Sequence, residues 1–174
     1  DESKEQIRNL FRNAIDWLGQ SPSLQGDTIR YIARRGDTSR LVAHPDGTFT
    51  RTLKNGTRYE FDASGLLIAM IDRNDNATSY DYDGQDHLVT ITDPVGLETT
   101  FSYTGSKLSS ITDSANRTTS FNIDSQGDLL SVTFPDASTR SFTYDANHQM
   151  VSQTNQRNFT STYEFNDLGM MIKS

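Results

Sequence analysis

Tyr80–Thr104 reads YDYDGQDHLVTITDPVGLETTFSYT, and this stretch decides the fold. It opens on Tyr80, Asp81, Tyr82 and Asp83, where rings alternate with carboxylates and so project from one face of a strand. Asp83 then opens a turn, because a short carboxylate caps nearby backbone N–H groups. Asp86, three residues on, occupies a place suited to left-handed backbone, which Asp tolerates better than most residues. Leu88 and Ile91 mark the return strand. Asp93, Pro94, Val95 and Gly96 form the next turn, with Asp, Pro and Gly where a type I turn wants them. Phe101 and Tyr103 then begin the cycle again. The unit is a β-hairpin.

Working outward, the cycle keeps time. Tyr59, Tyr80, Phe101, Phe121, Phe142 and Tyr163 are separated by 21, 21, 20, 21 and 21 residues. Such a period marks a chain built by stacking one small unit. Second rings follow at Phe61, Tyr82, Tyr103, Tyr144 and Phe165, and Ile123 replaces the ring after Phe121. Asp62, Asp83, Asp124 and Asp145 open the turns, and Gly65, Gly127 and Gly169, with Asp86 and His148, take the left-handed place. Leu67, Leu88, Leu108, Leu129, Met150 and Met171 follow, and four repeats add Met70, Ile91, Ile111 or Val132 three residues later. The repeat at Phe101 has Thr104 in place of the turn aspartate and is one residue short. A hairpin alone is marginal in water, so stability must come from pairing between neighbours. The expected fold is all-β, an antiparallel array of hairpins of about 21 residues with one N-terminal amphipathic helix.

Upstream of Tyr59 the pattern loosens. Residues 27–58 carry short hairpins, with Asp46-Gly47 and Asn55-Gly56 between the runs Leu41–Ala43, Thr48–Leu53 and Thr57–Phe61. Those dipeptides predict type I′ turns, in which both central residues take positive φ. Arg35-Gly36-Asp37 reads as another turn; it also spells an integrin-binding tripeptide, but Gly and Asp are what any turn recruits. Residues 1–20 predict an amphipathic helix, with Ile7, Leu10, Phe11, Ala14, Ile15, Trp17 and Leu18 on one stripe and Ser21-Pro22 beyond its end. The mixed charges of its polar side favour covering a sheet face or an open sheet end over membrane binding. Residues 59–174 form the repeat array, whose last repeat is truncated, so a piece of something longer is expected. Bare strand edges recruit other strands, and self-association is expected unless the Ile7–Leu18 stripe covers one edge.

Composition narrows the function. Hydrophobic residues make up 33% and aromatics 10%, with a net charge of −7. Such a balance opposes binding to nucleic acid or an anionic membrane, since both need a basic face. The absence of cysteine removes disulfides, thiolate chemistry and Cys-based zinc sites. No apolar run approaches the roughly 20 residues that span a bilayer, and no signal peptide is visible.

The recurring Tyr-Asp-x-x-Gly-x-Leu, followed about 13 residues later by another Tyr-x-Tyr-Asp, resembles the YD repeat of bacterial Rhs proteins, Tc toxin C components and teneurins. The resemblance covers Tyr59 to Ser174. It implies a long antiparallel sheet spiralling into a shell, which encloses a C-terminal toxin in Rhs and Tc proteins and supports cell-surface recognition in teneurins. It also implies a secreted or cell-surface bacterial protein whose partners are the remaining repeats of the parent and an enclosed toxin or effector. No segment resembles the self-cleaving core that ends toxin-bearing Rhs repeats, and no toxin domain is visible.

Candidate chemistry yields to the repeat. His44, His87 and His148 lie in or beside turns with no second ligand at metal spacing. Asp72 to Asn76 opens like a calcium loop, but Ala77 stands where glycine is required. Asp81, Asp83 and Asp86 suggest an acid/base pair, yet Asp83 recurs as Asp62, Asp124 and Asp145. Asn55, Asn76, Asn116 and Asn158 head Asn-x-Thr sequons that turn chemistry generates. The aromatic rows remain as a possible sugar-binding face, against the reading that they are cross-strand aromatic ladders holding the sheet. No catalytic, metal or cofactor site is expected. The chain is expected to be a structural wall segment, with a carbohydrate-binding or adhesion module as the alternative.

Overall fold

A computed structural model describes residues 23–25, 28–31, 36 and 38–174. Every element among them is a strand, seventeen in all. The helix expected over residues 1–20 lies outside the described residues. The chain divides into two compact units, the first reaching Asp81 and taking in Ile91–Gly96, the second made of Tyr82–Thr90 and the residues from Leu97 onward.

In the first unit β1 (Ser23–Gln25), β2 (Thr28–Tyr31), β3 (Arg40–Ala43), β4 (Phe49–Thr52), β5 (Arg58–Phe61), β6 (Leu67–Ile71) and the start of β7 (Ala77–Tyr82) pair antiparallel in sequence order. Strand β8 (Leu88–Thr92) is divided between the units. In the second, β9 (Glu98–Thr104), β10 (Lys107–Thr112), β11 (Thr118–Ile123), β12 (Leu129–Thr133), β13 (Thr139–Tyr144), β14 (Met150–Thr154) and β15 (Thr160–Thr162) repeat the pattern. The two-stranded sheet of β16 (Glu164–Phe165) and β17 (Met171–Lys173) comes last. No described strand crosses over another, as short hairpin loops dictate.

One backbone turn recurs almost everywhere. In Asp62–Leu66 the first N–H donates to the fifth carbonyl, the fourth N–H donates to the first carbonyl, and the fourth residue, Gly65, has φ of 87°. This is a three-residue loop, a type I turn closed by a left-handed residue. The same bonds close His44–Thr48 and Leu53–Thr57, where only Gly47 and Gly56 have positive φ, so the type I′ turns expected there are replaced by the longer loop. The physical reason lies in the extra residue, which lets Asp46 and Asn55 stay right-handed. Their Oδ1 atoms instead accept the N–H groups of Thr48 and Thr57 at 2.9 and 3.0 Å.

No described side chain is fully buried. The ring strands β9, β11 and β13 alternate between exposed and half-buried residues, with the rings at the half-buried places. The return strands β10, β12 and β14 are half-buried throughout. Among the described residues there is no helix to close over a sheet face.

Candidate functional site

From Leu53 onward the turns divide into two rows. Post-ring turns come after a ring strand: Asp62–Leu66, Asp83–His87, Thr104–Lys107, Asp124–Asp128, Asp145–Gln149 and Asn166–Met170. Pre-ring turns precede one: Leu53–Thr57, Asp72–Asn76, Asp93–Leu97, Asp113–Arg117, Phe134–Ser138 and Asn155–Phe159.

In the post-ring turns one carboxylate oxygen gathers the loop's N–H groups. Asp124 Oδ1 accepts from Gln126, Gly127 and Asp128 at 2.9 to 3.0 Å. Asp62, Asp83 and Asp145 each accept from the second and fourth residues beyond them. The backbone N–H of Asp128 foremost, and the N–H groups of Gln126 and Gly127, hold the Asp124 carboxyl below the usual carboxylate range. The His87 N–H does the same for Asp83. The left-handed place is taken by Gly65, Asp86, Gly127, His148 and Gly169, with φ of 87°, 61°, 102°, 62° and 74°.

The shortened turn at Thr104–Lys107 has its only positive φ, 60°, at Gly105. A two-residue loop with glycine first is the II′ hairpin turn, so the missing residue and the missing aspartate have one cause.

Five of the post-ring hairpins then carry a bulge. Phe61 pairs with Leu67, Tyr103 with Leu108, Ile123 with Leu129, Tyr144 with Met150 and Phe165 with Met171, and the register slips one residue beyond each pair. A bulge re-aims one side chain and raises the local twist. After it, Tyr59 meets Met70, Phe101 meets Ile111, Phe121 meets Val132 and Phe142 meets Gln153. Each ring named in these pairs thus faces an aliphatic or long polar side chain of the return strand. Aromatic ladders of direct cross-strand pairs are not what holds this sheet; Phe49 opposite Phe61 is an exception in the first unit.

Pre-ring pairings shift the pattern. Met70 faces Thr78, Ile111 faces Thr119, Val132 faces Arg140 and Gln153 faces Ser161, and the next ring stands two residues further on. Successive ring–aliphatic pairs therefore step along the strands by one pleat per repeat.

Several contacts between neighbouring repeats come from the last place of the post-ring turn, the fifth in all but the shortened one. His87 stacks on the Tyr103 ring, centroids 4.6 Å apart and planes 16° from parallel. Lys107 Nζ donates to the Asp124 carbonyl. Asp128 Oδ1 lies 2.9 Å from His148 Nδ1. A Cβ on Gly169 would come within 2.9 Å of Gln149 Nε2. Sequence reasoning missed this row because Leu66, His87, Lys107, Asp128 and Gln149 share no chemistry. Only their spacing could have found them. The same packing lifts two phenols above their ordinary range: burial and then the Asp83 charge for Tyr103, burial and then Asp128 and Asp124 for Tyr144. The Tyr103 hydroxyl donates to the Leu88 carbonyl at 2.9 Å.

Tyr80 and Tyr82 share one face of β7, and Tyr163 joins β15 to β16 while its N–H donates to the Val151 carbonyl at 2.8 Å. Among the described residues no group of His, Asp or Glu is placed to hold a metal ion. No described helix is long and apolar enough to cross a membrane.

Comparison with known proteins agrees with this geometry. The chain is similar in fold to a mutant Photorhabdus luminescens Tc holotoxin pore, at a TM-score of 0.55 and 16% identity over 83% of this chain and 8% of that one. A TcdB2-TccC3-TEV structure gives 0.56 and 15% identity over 87% of this chain and 11% of that one. TcdB2-TccC3 without its hypervariable C-terminal region gives 0.54 and 16%, over 84% and 9%. The chain thus spans only 8% to 11% of the length of these proteins. No curated protein matches its sequence. The RHS Repeat family pattern matches residues 61–98, 82–118 and 124–160, more than half of the chain, and the chain belongs to the RHS repeat family.

Proposed function

We propose that this chain is a wall segment of a larger RHS-repeat protein and that the wall encloses or presents a toxin or effector. One observation carries the reading. The repeats that begin at Tyr59, Phe101 and Phe121 each set a ring against an aliphatic side chain of the return strand, and no described side chain is fully buried. Such a sheet is a surface awaiting company on its faces, and its regularity serves extension rather than a single reaction centre. The RHS repeats and the fold shared with Tc toxin structures support the structural role, which is consistent with a protein that is not an enzyme. On this reading the array over residues 59–174 is the wall, residues 27–58 lead into it, and the parent is secreted or displayed at the bacterial surface.

The test is to purify the parent protein natively, treat it with proteinase K, and measure masses after denaturation. A protected polypeptide distinct from the wall is expected. A single uncleaved chain with nothing protected, held at the cell surface and binding oligosaccharides, would replace this reading with adhesion.

A further inference from the structure

The first unit carries two largely apolar rows on one face. Ile29, Ala43, Phe49, Phe61 and Leu67 are consecutive cross-strand partners, and so are Tyr31, Leu41, Arg51, Tyr59 and Met70. Nine of these ten side chains are apolar or aromatic. The opposite face of the same strands presents Arg30, Arg40, Thr50, Thr52, Arg58 and Glu60 beside Val42, Ala69 and Ile71. Within this unit, then, a second layer has one face to prefer.

We propose that the segment Ile7–Leu18 is that layer, lying across the ring rows of β2 to β5. Its sequence carries an apolar stripe of Ile7, Leu10, Phe11, Ala14, Ile15, Trp17 and Leu18. As a helix its twelve residues run about 18 Å, at roughly 1.5 Å each. Strands stand about 4.8 Å apart, so that length crosses about four of them, the number from β2 to β5. Residues 19–22 join the segment to β1, and four extended residues reach at most about 14 Å. This is enough to turn from the outer strand onto either face. The polarity of the two faces decides between them. This placement is independent of what the parent protein encloses.

Trp17 is the sole tryptophan of the chain, which makes the test direct. Acrylamide quenching of the unaltered chain is expected to be several-fold weaker in buffer than in guanidinium, and unchanged on dilution. A Phe11→benzoylphenylalanine variant, irradiated and digested, is expected to cross-link within one chain to residues such as Ile29, Leu41, Phe49 or Tyr59. Cross-links to Arg30, Val42, Thr50 or Glu60, to the outer strand Ser23–Gln25, or to a second chain would overturn the placement. So would a Trp17 as accessible in the folded protein as in guanidinium.

Discussion

The two rows of turns share one backbone and differ in the register of the strands they join. Asp124–Asp128 and Asp113–Arg117 close with the same pair of backbone bonds and place a left-handed residue fourth. After the post-ring turn the return strand bulges; after the pre-ring turn the register runs straight. The bulge is what brings the second ring or its substitute opposite Leu129 and the first ring opposite Val132. The pre-ring turn only sets the next strand down beside its neighbour. The repeat's apolar energy therefore sits in the post-ring hairpin, while the pre-ring pairing supplies continuity.

Breaking the apolar pair is expected to have the largest effect. Leu129→Ala should cost about 2 kcal/mol, the low end for a leucine because the site is half-buried. Asn122→Ala, on the other face of the neighbouring strand, should stay within about 0.5 kcal/mol. Urea unfolding of both variants measures the contrast, and equal costs would mean that the two faces contribute alike.

Strain at the fourth turn position comes next, and one substitution in each row probes it, the first adding a Cβ there and the second removing one. Gly127 has φ of 102° with open space around it, so Gly127→Ala is expected to cost about 1 kcal/mol through backbone strain alone. Ala137 holds φ of 63° in the pre-ring turn Phe134–Ser138, and Ala137→Gly is expected to stabilise by about 0.5 kcal/mol. Thermal melts of the pair read both signs. Destabilisation by Ala137→Gly would show that the alanine methyl is needed there.

Acid should weaken both rows. The Asp72 and Asp113 carboxyls are lowered chiefly by the side chains of Asn76 and Arg117, and those of Asp83 and Asp124 chiefly by backbone N–H groups. A carboxyl whose folded pKa lies below its unfolded value stabilises the fold above the unfolded value. That contribution is lost as pH falls through the folded value. Stability is thus expected to be flat above about pH 5 and to fall progressively below about pH 4, where unfolded aspartates protonate. Urea midpoints across that window check it; a midpoint that rises on acidification would contradict the turn chemistry.

The smallest effect belongs to surface pairing. Arg58 Nη2 lies 2.7 Å from Asp75 Oδ1 with both side chains exposed, so Arg58→Met should change stability by less than about 1 kcal/mol. A larger loss would point to the packing of the arginine stem.

Much of this was legible in the sequence. The beat of Tyr59, Tyr80, Phe101 and their successors fixes the hairpin, its order and its family, because ring spacing reports strand spacing directly. The post-ring aspartates announce their turns by residue type. The bulge is silent, since Ile68, Leu130, Val151 and Ile172 read as ordinary strand residues and Ser109 shares nothing with them. Asp75, Asn116, Ala137 and Asn158 hold positive φ in pre-ring turns, and Ala137 has no residue-type signal for it. The type I′ expectation failed at Asp46-Gly47 and Asn55-Gly56 because a dipeptide does not reveal whether its loop holds two residues or three. The fifth-place contacts were invisible because each repeat solves them with different chemistry.

If the array and not the hairpin is the stable unit, size alone should decide folding. Far-UV circular dichroism of three peptides tests this: the post-ring hairpin Thr118–Thr133, the pre-ring hairpin Leu129–Tyr144, and residues 97–154, which hold β9 to β14. The expected result is coil for both hairpins and a cooperatively melting sheet for the long segment. A hairpin that folds alone, or a long segment that melts hairpin by hairpin, would contradict the wall.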